Sequence, residues 1–238
     1  MRYFITGATI LLLLLISFSI AAGMEANEKK DLELPAEGIE RTEIECGAGF
    51  LKVSGVEGLS SIRVEAEISV DGIGSTDLKK FLEDHITLTL TKKGETAVLK
   101  SKTDGLIPSG KSCTIDLTVQ LPKKMSLAIA DGSGYIELTD LNGNLEIADG
   151  SGEITAENIN GNVNISDGSG EITIVNVGGD LNINDGSGDM DVRKILGNVN
   201  ISDGSGDISI DDVGLDVNLQ SSGSGDEKIK NVKGKINR

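Results

Sequence analysis

The sequence predicts an all-β protein built around a single-stranded parallel β-solenoid (β-helix) with 18-residue coils, and three observations carry that prediction. The tetrapeptide Asp-Gly-Ser-Gly starts at Asp131, Asp149, Asp167, Asp185 and Asp203, each 18 residues after the last, with a degenerate copy at Ser222-Gly223-Ser224-Gly225. Fixed internal periodicity of this kind marks stacked supersecondary units. The apolar residues keep the same frame, as in the column Ile136, Ile154, Ile172, Met190 and Ile208 and the column Leu145, Val163, Leu181, Val199 and Val217. Within each repeat apolar and polar residues alternate in two short bursts, the period of a half-buried strand, and no helical period is present. An antiparallel meander or sandwich of hairpins uses the same turn residues and is the alternative. Identity at every coil favours the stack, because one repeat alone buries too little apolar surface to offset the ordering of its backbone.

Taken in chain order, the first element lies outside the fold. Arg2 precedes an apolar stretch through Ile10 to Ile16, and small residues Ala21-Ala22-Gly23 close it with no acid before Glu25. Residues 1–23 therefore read as a signal peptide, or as an uncleaved anchor, since the stretch is about long enough to cross a bilayer. No Cys follows the cleavage zone, which excludes a lipoprotein anchor, and the rest of the chain is expected outside the cytoplasm. Residues 24–130 form an N-terminal β-rich part continuous with the solenoid. Ile62 to Ile68, Ile86 to Leu90 and Thr114 to Val119 alternate as strands, and one short helix is expected from Thr76 to Asp84 with Leu78, Phe81 and Leu82 on one side. Residues 131–238 are the solenoid repeats, closed by a basic cap of Lys228, Lys230, Lys233, Lys235 and Arg238. Each coil has two corners: Asp-Gly at one, and Asn142-Gly143, Asn160-Gly161, Gly178-Gly179 or Leu196-Gly197 at the other, where Gly takes positive φ without steric cost. Asn164, Asn182, Asn200 and Asn218 fall between inward columns, so they face outward, where their amides can stack as a ladder.

Composition excludes several function classes. Aromatic residues make up 3% of the chain and Trp is absent, so the stacking surfaces of sugar-binding sites and most small-molecule pockets are missing. One His and two Cys cannot build the clusters that zinc, copper or iron-sulfur chemistry requires. A formal charge of -16 argues against nucleic acid or an acidic membrane surface as partner. From Asp131 through Asp226 there are 19 acids against Arg193 and Lys194, so the excess sits on the repeat.

Gly47-Ala48-Gly49-Phe50-Leu51-Lys52-Val53-Ser54-Gly55, Val119-Gln120-Leu121-Pro122 and the Asp-Gly-Ser-Gly-acid-Ile units are the residues by which the chain resembles a bacterial and archaeal family of exported β-strand repeat proteins known as putative adhesins. The resemblance covers most of the chain after residue 23. It implies a β-helical surface or periplasmic domain without catalytic residues.

Gly105-Leu106-Ile107-Pro108-Ser109-Gly110-Lys111-Ser112 matches a phosphate-binding loop pattern, yet the residues after it read as a strand where the chemistry needs a helix. The Gly-Ser-Gly units likewise lack the helix of a dinucleotide fingerprint. The Asp column, with Asp149, Asp167, Asp185 and Asp203 at its centre, has two readings. In the structural one each carboxylate accepts an N-H from its own corner. In the other these aspartates are weak candidate calcium ligands beside a second acidic row, Glu153, Glu171, Asp189 and Asp207. The first is favoured, because the glycine-aspartate pattern of known calcium β-rolls is absent. Cys46 and Cys113 are a candidate disulfide in an oxidising compartment, with free buried thiols as the alternative.

The function expected from these residues is a non-catalytic extracytoplasmic structural or interaction module, adhesin-like, that needs no cofactor and meets a protein or cell-envelope partner. A calcium-stabilised envelope domain is the second possibility, and a polysaccharide-acting β-helix enzyme the third. Membrane contact is expected only if the N-terminal segment is retained.

Overall fold

The computed structural model describes residues 25–103 and 107–238. The signal-peptide stretch at 1–23 and part of the Gly105–Ser112 motif lie outside the described residues.

Among the described residues, alternation of apolar and polar side chains yields twenty strands in two ten-stranded sheets. The N-terminal part contributes β1 (Glu25–Pro35), β2 (Arg41–Glu45), β3 (Ala48–Val56), β4 (Ser61–Asp71), α1 (Ser75–His85), β5 (Ile86–Lys93), β6 (Thr96–Thr103) and β7 (Ser112–Pro122). Then come β8 (Ser126–Ala130), β9 (Ser133–Leu141), β10 (Leu145–Asp149), β11 (Gly152–Ile159), β12 (Val163–Asp167), β13 (Ile172–Val177) and β14 (Leu181–Asp185). The chain finishes with β15 (Met190–Ile195), β16 (Val199–Ser205), β17 (Ile208–Val213), β18 (Val217–Ser224), β19 (Glu227–Val232) and β20 (Ile236–Asn237).

From β8 onward, successive strands fall alternately into the two sheets, and from β10 onward each pairs in parallel with the strand two before it. In one sheet Leu145 pairs with Val163, Val163 with Leu181 and Leu181 with Val199. In the other Ile154 pairs with Ile172, Ile172 with Met190 and Met190 with Ile208. Long parallel ladders in two facing sheets are an arrangement compatible with a β-solenoid. The aliphatic columns meet between the sheets. Ile136, Ile154, Ile172, Met190 and Ile208 are all buried, as are Leu145, Val163, Leu181, Val199 and Val217. Burying an aliphatic side chain of this size contributes about 1.5–3 kcal/mol, so the columns dominate the stability of a chain nearly without aromatics.

The N-terminal part departs from the single-stranded parallel plan. β2 and β3 join the parallel ladders, Ile44 on Ile129 and Leu51 on Ile136. Around them the chain adds antiparallel pairs: β1 on β4, β4 on β7, and β5 on β6. For β5 and β6 the reason is local. Lys93 pairs with Thr96 across Gly94, which sits at φ +62, so a two-residue turn folds β5 back on β6 at once. Helix α1 covers this end of the sheets against β1 and β5, burying Leu78, Phe81 and Leu82, the three residues expected on its apolar side. At the opposite end Glu227 takes the place of an inward isoleucine, opposite Ile208, and its carboxylate pairs with Arg238 at 3.0 Å. Lys228, Lys230, Lys233 and Lys235 stand exposed around that pair.

Candidate functional site

Two regions of the repeat carry organised polar chemistry, one inside the sheets and one outside. The inner one is the Asp corner. The alternation that points Leu145 and Ile147 inward points Asp149 inward as well, and the same holds for Asp167, Asp185 and Asp203. Gly150 N donates to Asp149 Oδ1 at 2.7 Å, Ser187 N to Asp185 Oδ1 at 3.2 Å and Ser205 N to Asp203 Oδ1 at 3.1 Å. These are the corner contacts of the structural reading. Burial raises the pKa of all four; next in weight, the Asp149 carboxylate adds to the rise at Asp167, and Asp167 to that at Asp185, which is pushed up to about 6. The second acidic row, Glu153, Glu171, Asp189 and Asp207, lies exposed. Among the described residues no group of three or more His, Cys, Asp or Glu side chains is placed to hold a metal ion.

The glycines of the corner are dictated by how closely the repeats approach. Gly134, Gly152, Gly170, Gly188 and Gly206 have φ between +137 and +150, and a Cβ on Gly170 would stand 1.6 Å from the carbonyl oxygen of Gly152. No side chain fits there. The row begins earlier than the tetrapeptides suggest: Glu45 pairs with Ala130 and Ala48 with Ser133, which sets Cys46-Gly47-Ala48-Gly49 directly against Asp131-Gly132-Ser133-Gly134. Cys46 thus heads the Asp column. Its thiol is hydrogen-bonded to the Asp131 carboxylate, and burial, with that carboxylate second, pushes the thiol pKa strongly up. Cys113 is buried in β7, its thiol 3.9 Å from the Thr114 carbonyl oxygen. Both cysteines are free in the structure, which holds no bond between the candidate disulfide pair Cys46 and Cys113.

The outer region is the exposed face of the sheet that holds the even-numbered strands β8 through β20. Asn182 Nδ2 donates to Asn164 Oδ1 at 2.8 Å, Asn200 to Asn182 at 2.7 Å and Asn218 to Asn200 at 2.7 Å, with Asn237 continuing to Asn218 at 2.6 Å. Beside this amide ladder runs a second row of small residues, Ala148, Ser166, Asn184 and Ser202, and a shallow groove follows the two rows along the stack. Among the described residues lining the groove only Glu146 is ionisable, and it accepts from Arg41 at 2.6 Å. The outer face of the other sheet differs, carrying Glu137, Glu157, Asp191 and Asp211.

The second corner shows what sequence reasoning missed. Asp140, Asn158, Asn176, Lys194, Asp212 and Asn231 all sit at φ between +52 and +62, one left-handed residue per repeat. Asn and Asp tolerate that conformation best after Gly, which is the signal that could have revealed it. Just beyond, side chains cap the backbone of the neighbouring repeat: Asn162 N donates to Asn144 Oδ1 at 3.0 Å, Asp180 N to Asn162 Oδ1 at 2.9 Å and Asn198 N to Asp180 Oδ1 at 2.7 Å. Within the Gly105–Ser112 motif, Ser112 opens strand β7, so the helix that phosphate binding requires does not follow it.

Among known proteins, several solved structures resemble the chain. One described as a putative cell adhesion protein from Clostridium sporogenes shares 16% identity at a TM-score of 0.42, covering 88% of this chain and 99% of that one. A putative adhesin from Parabacteroides merdae shares 11% identity at 0.44, over 91% and 98%. A putative lipid binding protein from Parabacteroides distasonis shares 16% identity at 0.47, over 89% and 97%. No curated protein sequence matches. The model of the Toastrack DUF4097 family matches residues 60–237, three quarters of the sequence, and the chain therefore belongs to the Toastrack DUF4097 family.

Proposed function

We propose that the chain is a non-catalytic, extracytoplasmic structural and interaction module, adhesin-like in role, whose working body is a β-solenoid of 18-residue coils. The pairing of like residues from one repeat to the next supports the coil assignment. The observation that carries the functional reading is the asymmetry of the two outer faces. A chain with 38 acids against 22 bases presents one sheet face with acidic side chains and the other with a neutral ladder of amides and hydroxyls. An uncharged regular face within an otherwise repulsive surface is where a partner can approach without desolvating charge. The groove on that face lacks the pair of carboxyl groups that glycoside hydrolysis needs, and the buried Asp row opens toward the interior rather than into it. The partner expected is a protein or other component of the cell envelope. No helix among the described residues is long and apolar enough to cross a membrane.

Co-sedimentation with purified envelope fragments tests the reading, using the native chain and the double variant Asn182→Lys and Asn200→Lys. Binding by the native chain and at least tenfold weaker binding by the variant, with unchanged circular dichroism, is the expected result. Equal binding by both would move the interaction off this face.

A further inference from the structure

The inward Asp row has chemistry that an interaction face does not use. Asp149, Asp167, Asp185 and Asp203 are 8%, 6%, 5% and 2% exposed, so each is more than nine-tenths buried. Asp149 Oδ2, Asp185 Oδ2, Asp203 Oδ2 and both carboxylate oxygens of Asp167 are buried without a hydrogen-bond partner. The strand register sets Asp149 on Asp167, Asp167 on Asp185 and Asp185 on Asp203, one strand spacing of about 4.8 Å apart. Ionised, these groups would be a row of like charges in a dry corner, and among the described residues no ion pair reaches them. Among the described residues the ionisable groups around them are acidic or a thiol. Asp131 and Cys46 continue the row at its head, and Glu153, Glu171, Asp189 and Asp207 lie just past the corner, where the chain enters the facing sheet. A carboxylic acid differs from a carboxylate in being able to donate, and a donor is what each orphaned oxygen lacks.

We propose that the Asp row is a proton-binding column: in mildly acidic surroundings protons sit between successive carboxyl groups, each acid O-H donating to the orphaned oxygen of the next repeat, and the stack loosens as they leave. Burial raises every carboxyl in the row, and Asp185, where the like neighbours Asp167 and Asp203 add to burial, is pushed up to about 6. A carboxyl raised in the folded state binds protons more tightly there than in the unfolded chain. Its contribution is therefore complete below the unfolded value near 4 and lost as pH climbs through the folded value. For Asp185 the loss amounts to a factor on the order of 100 in the folding equilibrium constant.

The test compares denaturant unfolding of the native chain with that of the fourfold variant Asp149→Asn, Asp167→Asn, Asp185→Asn and Asp203→Asn, between about pH 4 and about pH 7. Asn supplies a donor at all pH, as it already does in the outer ladder. The expected result is a native midpoint that falls as pH rises by more than any fall in the variant, and a variant more stable than the native chain near neutrality. Infrared spectra of the native chain provide a readout that needs no variant to fold: the carbonyl stretch of protonated carboxyl groups persists above the range of ordinary aspartates. A pH dependence identical in the two proteins, or the absence of that stretch above about pH 5, overturns the proposal. So does a native midpoint at neutral pH raised by added calcium and lowered by chelator, which would put a metal ion in place of the protons.

Discussion

Replacing Gly170 by alanine is the sharpest probe of how closely the repeats are stacked. Gly170 sits at φ +150, where side chains are strained, and its Cβ would lie 1.6 Å from the Gly152 carbonyl oxygen and 2.6 Å from the carbonyl carbon. The backbone conformation alone costs about 1–3 kcal/mol. Relief of the overlap requires the two corners to separate by more than an ångström, which breaks the Gly152 N to Ser169 O bond at 2.9 Å and the Gly168 N to Asp149 O bond at 3.2 Å. Each lost bond costs about 1 kcal/mol net. The total is about 3–5 kcal/mol, or roughly 6–20 °C in melting temperature for a domain of this size. Gly94→Ala is the control: its φ is +62 and nothing lies within 4 Å of an added Cβ, so only the left-handed penalty of about 1–2 kcal/mol applies. Urea unfolding of both variants decides the matter. A Gly170→Ala cost no larger than that of Gly94→Ala would refute the close-approach explanation of the corner glycines.

Further predictions concern the second corner, the core and the thiols. Lys194 is the one residue of the left-handed row that is neither Asn nor Asp, so Lys194→Asn should stabilise by about 0.5–1 kcal/mol, read as a higher urea midpoint. Ile174 is fully buried between the sheets, and Ile174→Ala should cost about 2–5 kcal/mol in the same assay. Because burial raises both thiols, Cys46 and Cys113 should resist alkylation at mildly alkaline pH while the chain is folded and should both label in denaturant without reductant. A mass showing fewer than two labels under those conditions would restore the disulfide.

Much of the fold was legible because a stack repeats its constraints. The columns through Ile154 and Val163 could be drawn from spacing alone, and so could the outward amide row at Asn182, since one inward assignment fixes every neighbour on a strand. The inward turn of Asp149 was harder to accept than to read. Alternation from Leu145 and Ile147 points it inward, but a charged side chain is expected at the surface unless paired, so the sequence offers corner contacts or a cation as the partners of these carboxylates. Cys46 could not be placed at the head of the Asp row by period, because the inserted strands β4 to β7 separate it from Asp131 by 85 residues, which is not a multiple of 18. The antiparallel pairs were hidden for a similar reason. Alternating segments such as Ile86 to Leu90 look the same whether their partners run parallel or antiparallel, and for that strand the turn at Gly94 makes the distinction.

Cysteine cross-linking measures the stacking register most directly. On the outer face of one sheet Thr155 lies opposite Thr173, and Thr173 opposite Asp191. With Cys46 and Cys113 replaced by serine, oxidation of the Thr155→Cys and Thr173→Cys pair should give an intramolecular disulfide, whereas Thr155→Cys with Asp191→Cys, two strand spacings apart, should not. Cross-linking of the second pair in preference to the first would contradict the account.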